Sequence, residues 1–350
     1  MSLNDLTIAV VGATGAVGTE FLKIVEQRHP RLRHLKLLAS SRSAGRTMTV
    51  NGREYIVAET NENSFTDVDI AFISASTEIS RYLGPIAVQA GATVIDDSSA
   101  FRMLPEVPLV VPEVNGADLE WHQGIIAIPN CSTTPLVMLA HPLRQANPIR
   151  RIIADTYQSV SGAGGAAMLE LREQSRTLLD GGIIAPPQAQ PQQIGFNVIP
   201  QIDRFLDSGY TREEQKMIDE SRKILHAPEI AVSATCCRVP VYVSHSAAVH
   251  LEFERPMSPD DARQLLSAMP GLTVLDDPSQ NSYPMPWSVA GEDDVFVGRI
   301  RQDQSHPNGL ALWVVSDNLR KGAALNSIQI AEELVARNCV PPRARGSAAG

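Results

Sequence analysis

Leu6-Thr-Ile-Ala-Val-Val-Gly-Ala-Thr-Gly-Ala-Val-Gly18 decides the architecture of the first half of the chain. A short β-rich apolar run, Leu6 to Val11, passes directly into a turn holding Gly12, Gly15 and Gly18. An amphipathic pattern follows through Phe21, Leu22, Ile24 and Val25. Strand, glycine turn and helix in that order suit a dinucleotide, because backbone can approach the pyrophosphate and the helix N-terminus attracts the anion. The spacing is G-x-x-G-x-x-G rather than G-x-G-x-x-G, so a tight βα turn without ligand is the plainer alternative. The context favours a nucleotide cradle in the turn Gly12 to Gly18.

The next apolar run, Leu35 to Ala39, leads into Ser40-Ser-Arg-Ser43, Gly45 and Arg46, and no acidic residue stands between Glu26 and Glu54. A carboxylate at the end of this strand would hold the ribose hydroxyls of NAD. Hydroxyls and a guanidinium instead accept a 2′-phosphate, which a carboxylate would repel. Ser40, Arg42 and Ser43 are therefore read as contacts to NADP, against the alternative of a solvated basic loop. Further β-like runs at Asp69–Ile73, Ala92–Ile95, Leu109–Val111 and Ile125–Ile128 alternate with helical patterns. The alternation predicts a parallel twisted sheet, helices on both faces, and a site at the carboxyl ends of the strands. Arg102 lies in one of those terminal loops.

The segment Ile128-Pro-Asn-Cys-Ser-Thr-Thr-Pro135 reads as strand, turn and helix, with Cys131 at the helix start. Ser, Thr and Asn cap helices well, and Pro is tolerated in a first turn. A thiol beside unpaired N–H groups and the positive end of a helix dipole is biased toward the nucleophilic thiolate. A lone cysteine is more often buried and inert, but Asn130 and Ser132 place donors rather than apolar bulk around this one.

Beyond Arg150 the rhythm changes. A long strand, Ile152 to Ser159, enters the glycine-rich turn Val160-Ser-Gly-Ala-Gly-Gly165. Residues 181 to 203 are rich in Pro, Gln and Gly, yet Ile194, Phe196, Val198, Ile199 and Ile202 predict an ordered loop. A helix is expected over 211–226, where Glu213 and Lys216 share a face and on spacing alone read as an exposed ion pair. Strands are expected over Ile230–Val243, Ala247–Phe253 and Leu310–Ser316. Arg238 and His245 are seven apart, an odd offset that sends them to opposite faces of a straight strand. They meet only if the chain bends, at Pro240 or at Ser244. A final helix through Leu325 to Val335 is expected to return to the first domain.

The 350 residues suggest two domains. A formal net charge of -9 argues against a nucleic-acid or anionic-membrane partner. No apolar run approaches a membrane span, and no signal peptide is expected. Cys131, Cys236, Cys237 and Cys339 make no C-x-x-C pair, so no metal site and no disulfide framework are expected, and a cytoplasmic setting fits.

Taken together, the motifs Gly12–Gly18, Ser41–Gly45, Ser98–Arg102, Asn130–Thr133, Tyr157–Gly164, Phe196–Pro200, Glu213–Lys216, Arg238-Val-Pro, His245-Ser and Asp317–Gly322 resemble, in order and over nearly the whole chain, those of bacterial aspartate-β-semialdehyde dehydrogenases. The resemblance implies an α/β fold: a Rossmann-type parallel-sheet domain plus an α+β catalytic and dimerisation domain. The boundaries are 1–130 for the NADP domain, completed by a helix at 322–340, then 131–321, with a flexible tail at 341–350. It implies NADPH-dependent reductive dephosphorylation of β-aspartyl phosphate, on the route to lysine, threonine, methionine and isoleucine, by a homodimer or dimer of dimers. By motif, Cys131 is the nucleophile, His245 the acid/base and Gln158 the group orienting the acyl. Arg238 holds the substrate carboxylate with Glu213 on the ammonium, and Arg102, Asn130 and Lys216 hold phosphate. Thr14, Gly15, Ala16 and Val17 of the glycine turn, with Arg42, Ser43, Ser161, Gly162 and Asn318, are the NADP contacts the resemblance implies. Thr134-Pro135 and Cys237 depart from the usual pattern without removing a functional group. Other phosphorylating aldehyde dehydrogenases fit the Asn130–Thr133 segment poorly, and a catalytically silent relative would lack one of Cys131, Gln158, Arg238 or His245.

Overall fold

A computed structural model describes residues 2–341. The expected tail at 341–350 therefore lies, from residue 342 on, outside the described residues. The chain divides into two compact units, one running to Ile128 and resuming at Asn326, the other Pro129–Leu325.

The first unit contains β1 (Ile8–Val11), β2 (Leu35–Ala39), β3 (Thr47–Val50), β4 (Arg53–Ile56), β5 (Ala58–Glu59), β6 (Ile70–Ile73), β7 (Thr93–Asp96) and β8 (Ile125–Ala127). Six of them form one parallel sheet in the order β5-β2-β1-β6-β7-β8. Every residue of β1, β6 and β7 is buried, as strands covered on both faces require. Alternate residues show the two coverings. Phe72 stacks on Phe21 of the Ala16–Arg28 helix at a centroid distance of 4.5 Å. Its neighbours Ala71 and Ile73 pack instead with Leu83 and Ala87 of the Thr77–Gln89 helix.

Two local features of this unit depart from the sequence reading. Leu109–Val111 is no ladder strand: Leu109 makes one isolated bridge to Ala127, and Val111 caps a short helix beginning at Pro112. Proline has no N–H to give a ladder and suits a first helical turn. The hairpin β3–β4 was not foreseen, although Asn51-Gly52 carries its signal. Both turn residues have positive φ, 51° and 70°, as a two-residue hairpin loop of matching twist demands.

The second unit contains β9 (Ile149–Gln158), β10 (Ala231–Arg238), β11 (His245–Phe253), β12 (Leu272–Val274), β13 (Val295–Gln302) and β14 (Gly309–Ser316). They form one mixed sheet in the order β10-β9-β11-β14-β13-β12. In β9, Ile152, Ala154, Thr156 and Gln158 are buried while Arg151 and Tyr157 are exposed. The helices Thr133–Ala146, Arg212–Ile224 and Pro259–Ser267 pack against this unit's strands. On the opposite side Tyr157 meets Trp313 at 5.4 Å. The strands expected over Ile230–Val243 and from Ala247 are shifted: β10 stops at Arg238 and β11 opens at His245. Pro240 interrupts what read as one strand, and residues 239–244 cross over β9 to the other side.

A π-helical turn, Arg320–Ala324, runs into the helix Leu325–Ala336, most of which belongs to the first unit. There the Asn326 amide donates to the Val110 carbonyl at 2.9 Å, and Glu332 accepts from Arg28 at 2.7 Å and lies 2.8 Å from His29. Among the described residues no helix is long and apolar enough to cross a membrane.

Burial raises the Glu332 pKa, but hydrogen bonds from His29 and Arg28 outweigh it and bring the carboxyl down to about 2. A depressed carboxylate pKa stabilises the fold above the unfolded value and loses that contribution as pH falls toward the folded one. Glu332→Gln is expected to cost on the order of 1 kcal/mol at pH 7. Urea titrations of both proteins should show the gap closing as pH is lowered from 5 toward 3. A gap independent of pH would remove the ionic assignment.

Candidate active site

The glycine turn of the first unit is shaped as a cradle. Gly12 follows β1 with φ of +84°, and a Cβ there would lie 2.1 Å from the Ser74 carbonyl oxygen at the end of β6. Gly18, in the first turn of the Ala16–Arg28 helix, leaves room for the Gly12 carbonyl, which a Cβ would meet at 2.2 Å. The strand order reverses between β2 and β6 on either side of β1, so this turn sits at the topological switch point where open parallel sheets take ligands. Gly15 caps the helix without a side-chain bond, and Thr14, Ala16 and Val17 are half-buried beside it. This backbone fits a dinucleotide pyrophosphate. Ser40, Arg42 and Ser43 form a turn just past β2, with Ser40 and Arg42 exposed and the Ser43 N–H bonded to the Ser40 carbonyl at 2.9 Å. Arg102 is buried past β7 and donates to the Asp97 carbonyl at 2.8 Å. Burial pushes the Asp97 carboxyl up to about 6 against the attraction of Arg102.

In the second unit a cavity of about 310 Å³ is lined by Asn130, Cys131, Gln158, Glu213, Arg238 and His245, with Lys216 and Gly162 also on its wall. The sheet explains the gathering. Strand order puts β9 between β10 and β11, and Arg238 pairs in register with Gln158. The β9–β11 ladder begins at Tyr157–Ser246, so His245 falls opposite Gln158 on the same face. The bend expected between Arg238 and His245 is thus a crossover of a whole strand. It closes at Ser244, whose φ is +74°.

Cys131 enters from above that face. It sits two residues before the Thr133–Ala146 helix, in a turn where the Asn130 carbonyl accepts from Thr133 N–H at 2.9 Å and Thr134 N–H at 3.1 Å. Its Sγ is 3.9 Å from Asn130 Oδ1. Gly322 of the π-helical turn backs onto it, where a Cβ would lie 2.9 Å from Cys131 Cβ. The four cysteines form no disulfide.

Glu213 joins these parts. The ion pair expected on an exposed helix face is instead buried: Glu213 is 5% exposed. Its carboxylate accepts from Asn130 Nδ2 at 2.9 Å, Gln158 Nε2 at 3.3 Å and Lys216 Nζ at 3.0 Å. Burial alone would raise its pKa, but Lys216 and these hydrogen bonds pull it down to about 2. Lys216 also bonds Asp203 at 3.1 Å.

His245 is held by the turn after β9. Its Nδ1 accepts from the Ser159 backbone N–H at 3.0 Å and lies 3.0 Å from Ser159 Oγ. Burial and the nearby Arg238 lower its pKa to about 3, so the ring is neutral. The Ser159 N–H favours the tautomer with its proton on Nε2, whereas the Ser159 hydroxyl can support either one. Asn318 Oδ1 accepts from Ser159 Oγ at 3.2 Å, Ser161 Oγ at 3.0 Å and Ser244 N–H at 3.0 Å.

The chain matches the family model described as semialdehyde dehydrogenase, dimerisation domain, over residues 140–321, and that described as semialdehyde dehydrogenase, NAD binding domain, over 7–122. It is 51% identical over 344 residues to the aspartate-semialdehyde dehydrogenase of Bacillus subtilis, across 96% of this chain and 99% of that one. The chain belongs to the aspartate-semialdehyde dehydrogenase family. Among solved structures, Vibrio cholerae aspartate semialdehyde dehydrogenase II complexed with ASA superposes with a TM-score of 0.91 at 44% identity, covering 95% of this chain and 98% of that one. The Candida albicans aspartate semialdehyde dehydrogenase with NADP gives 0.76 at 28% identity, covering 96% and 99%. Like the rest of the family, the chain has a domain for a nicotinamide cofactor and a dimerisation domain.

Sequence reasoning gave no role to Ser159, Asp203 or Glu220, each of which bonds a residue lining the cavity. Serine and acidic residues are common, and only the fold shows what these reach. Gly162, expected only as a cofactor contact, stands on the wall of this cavity. A Cβ on it would lie 3.0 Å from both Arg238 Nη1 and His245 Nε2. Gly162→Ala is therefore expected to lower kcat/KM about 10- to 100-fold while leaving the melting temperature within a few degrees. Steady-state rates and calorimetry on one preparation check both halves.

Proposed function

We propose that this enzyme reduces β-aspartyl phosphate with NADPH to aspartate semialdehyde and phosphate through a thioester on Cys131, as a cytoplasmic homodimer or dimer of dimers serving lysine, threonine, methionine and isoleucine synthesis. The observation that carries the reading is the single cavity lined by Cys131, Gln158, Glu213, Lys216, Arg238 and His245. The thiol proton passes to His245, and the sulfur adds to the acyl carbon. The carbon–oxygen bond to phosphate breaks, and phosphate departs with its charge met by Lys216 and the Asn130 amide. Arg102 carries over to the same anion by its motif alone. Arg238 holds the substrate carboxylate, Glu213 the ammonium, and Gln158 orients the acyl oxygen. Bound nicotinamide supplies the hydride that reduces the thioester. As the carbon–sulfur bond breaks, Cys131 leaves as thiolate and recovers its proton from His245. Keeping water out protects the thioester from hydrolysis.

For the cofactor, the glycine turn supports a pyrophosphate at Thr14–Val17, with Ser161, Gly162 and Asn318 assigned to the nicotinamide half by motif. The serines and Arg42 past β2, with no carboxylate among them, support a 2′-phosphate.

Cys131→Ala is expected to abolish phosphate-dependent NADP reduction with aspartate semialdehyde, a fall of at least about 10⁴-fold. NADPH affinity should remain. Turnover near that of the parent enzyme refutes the nucleophile. Arg42→Ala is expected to raise KM for NADPH about tenfold or more and to leave the much weaker use of NADH unchanged. Equal use of both nucleotides by the parent enzyme counts against the 2′-phosphate contact.

A further inference from the structure

We propose that the Ser159 hydroxyl is a positioning residue that lets His245 bind a proton on Nε2. The inference rests on the reading of His245 as the acid/base group and deepens it. Imidazole has two nitrogens, and a base working at Nε2 must hold its own proton on Nδ1. Nδ1 faces the backbone N–H of Ser159 at 3.0 Å, a donor that favours the opposite tautomer. The Ser159 N–H taken by itself biases His245 toward the Nε2–H tautomer, which leaves Nε2 no lone pair for the thiol proton.

The hydroxyl of Ser159 changes this. It lies 3.0 Å from the same Nδ1 and can accept from an Nδ1–H. Its own hydrogen then points to Asn318 Oδ1, 3.2 Å away, which already gathers Ser161 Oγ and Ser244 N–H. Ser159, Ser161, Ser244, His245 and Asn318 are all 3% exposed or less, so bulk solvent does not reach this acceptor position. Nε2 itself is buried without a bonding partner, next to Gly162 on the cavity wall.

The hydroxyl gains and loses no proton overall. It turns between donating to Nδ1 and accepting from it. The charged and titratable groups facing the ring are Arg238 from β10, Glu213 from the Arg212–Ile224 helix, and Cys131 and Lys216 across the cavity. Arg238 disfavours the imidazolium and Glu213 favours it. The Ser244 backbone also favours the protonated ring, and beside it the Ser159 hydroxyl is a side-chain acceptor within hydrogen-bond distance of Nδ1.

Ser159→Ala keeps the backbone donor and removes the acceptor. It should lower kcat about tenfold or more, with KM for phosphate and for aspartate semialdehyde within about twofold. Loss of an acceptor destabilises the protonated ring, so the pH–kcat limb assigned to His245 should move to lower pH. The ¹⁵N shifts of the His245 ring should show Nε2–H only. Ser159→Thr, which restores a hydroxyl, should recover both rate and profile. Ser159→Cys, a weak acceptor of similar size, should behave as the alanine variant and serves if the latter folds poorly.

A Ser159→Ala enzyme with the parent pH profile overturns the inference. So does an equal loss at all pH values that Ser159→Thr does not recover. His245→Ala separates the layers. If it keeps full activity, the acid/base reading itself falls. If it is inactive while Ser159→Ala is unaffected, only the role of the hydroxyl falls.

Discussion

A carboxylate at Glu213, out of water and ionised, is the constraint on which the second unit's pocket depends. An ionised group in such a place is tolerated only when donors surround it. Three do so, from three parts of the chain: Asn130 beside the candidate nucleophile, Gln158 at the end of β9, and Lys216 one turn along the same helix. Satisfying that one charge fixes where Cys131 stands relative to the sheet. Asn130 is bound twice over, its side chain to Glu213 and its backbone N–H to Glu220 at 2.7 Å. Losing one partner of such a set leaves a bare buried charge, which in other proteins costs about 3–5 kcal/mol. A turn held that firmly suits the nucleophile proposed for Cys131, which would have to meet its substrate in one orientation.

The sheet supplies the second half of the geometry. A pleat repeats every two residues, so once β10 and β11 flank β9, Arg238, Gln158 and His245 must share a face. No special loop is needed to aim them. The close approach of Gly162 to two of these side chains, and of Gly322 to Cys131, then fills the remaining space with backbone. Backbone in those places narrows the cavity without adding groups that compete for protons. The same dry packing lowers the His245 pKa and makes its few hydrogen-bond partners decisive.

Legibility in the sequence followed the range of the interactions involved. The βα unit from Leu6 to Val25 was readable because its signals are local: β-rich apolar residues, glycines in a turn, then helical spacing. Cys131 was readable for the same reason, since its capping neighbours are adjacent to it. Glu213 and Lys216 were misjudged by spacing alone, because burial of a helix face depends on a sheet far away in sequence. Only the family resemblance pointed to them. Arg238 and His245 posed a parity conflict that no local bend resolves, and the answer was a strand crossing between them. Leu109–Val111 looked like a strand from its apolar content, but Pro112 ended it.

By itself, then, the sequence determined a parallel-sheet nucleotide domain, a cysteine at a helix start and a basic, acid-free loop after the second strand, because each rests on contacts within a few residues. Tertiary structure alone decided that a helix carboxylate would be buried beside that cysteine, and that the Ser159 hydroxyl would stand 3.0 Å from one nitrogen of His245. Those outcomes depend on strand order and on desolvation. Both are properties of the folded chain as a whole, and neither leaves a mark on neighbouring residues that periodicity can detect.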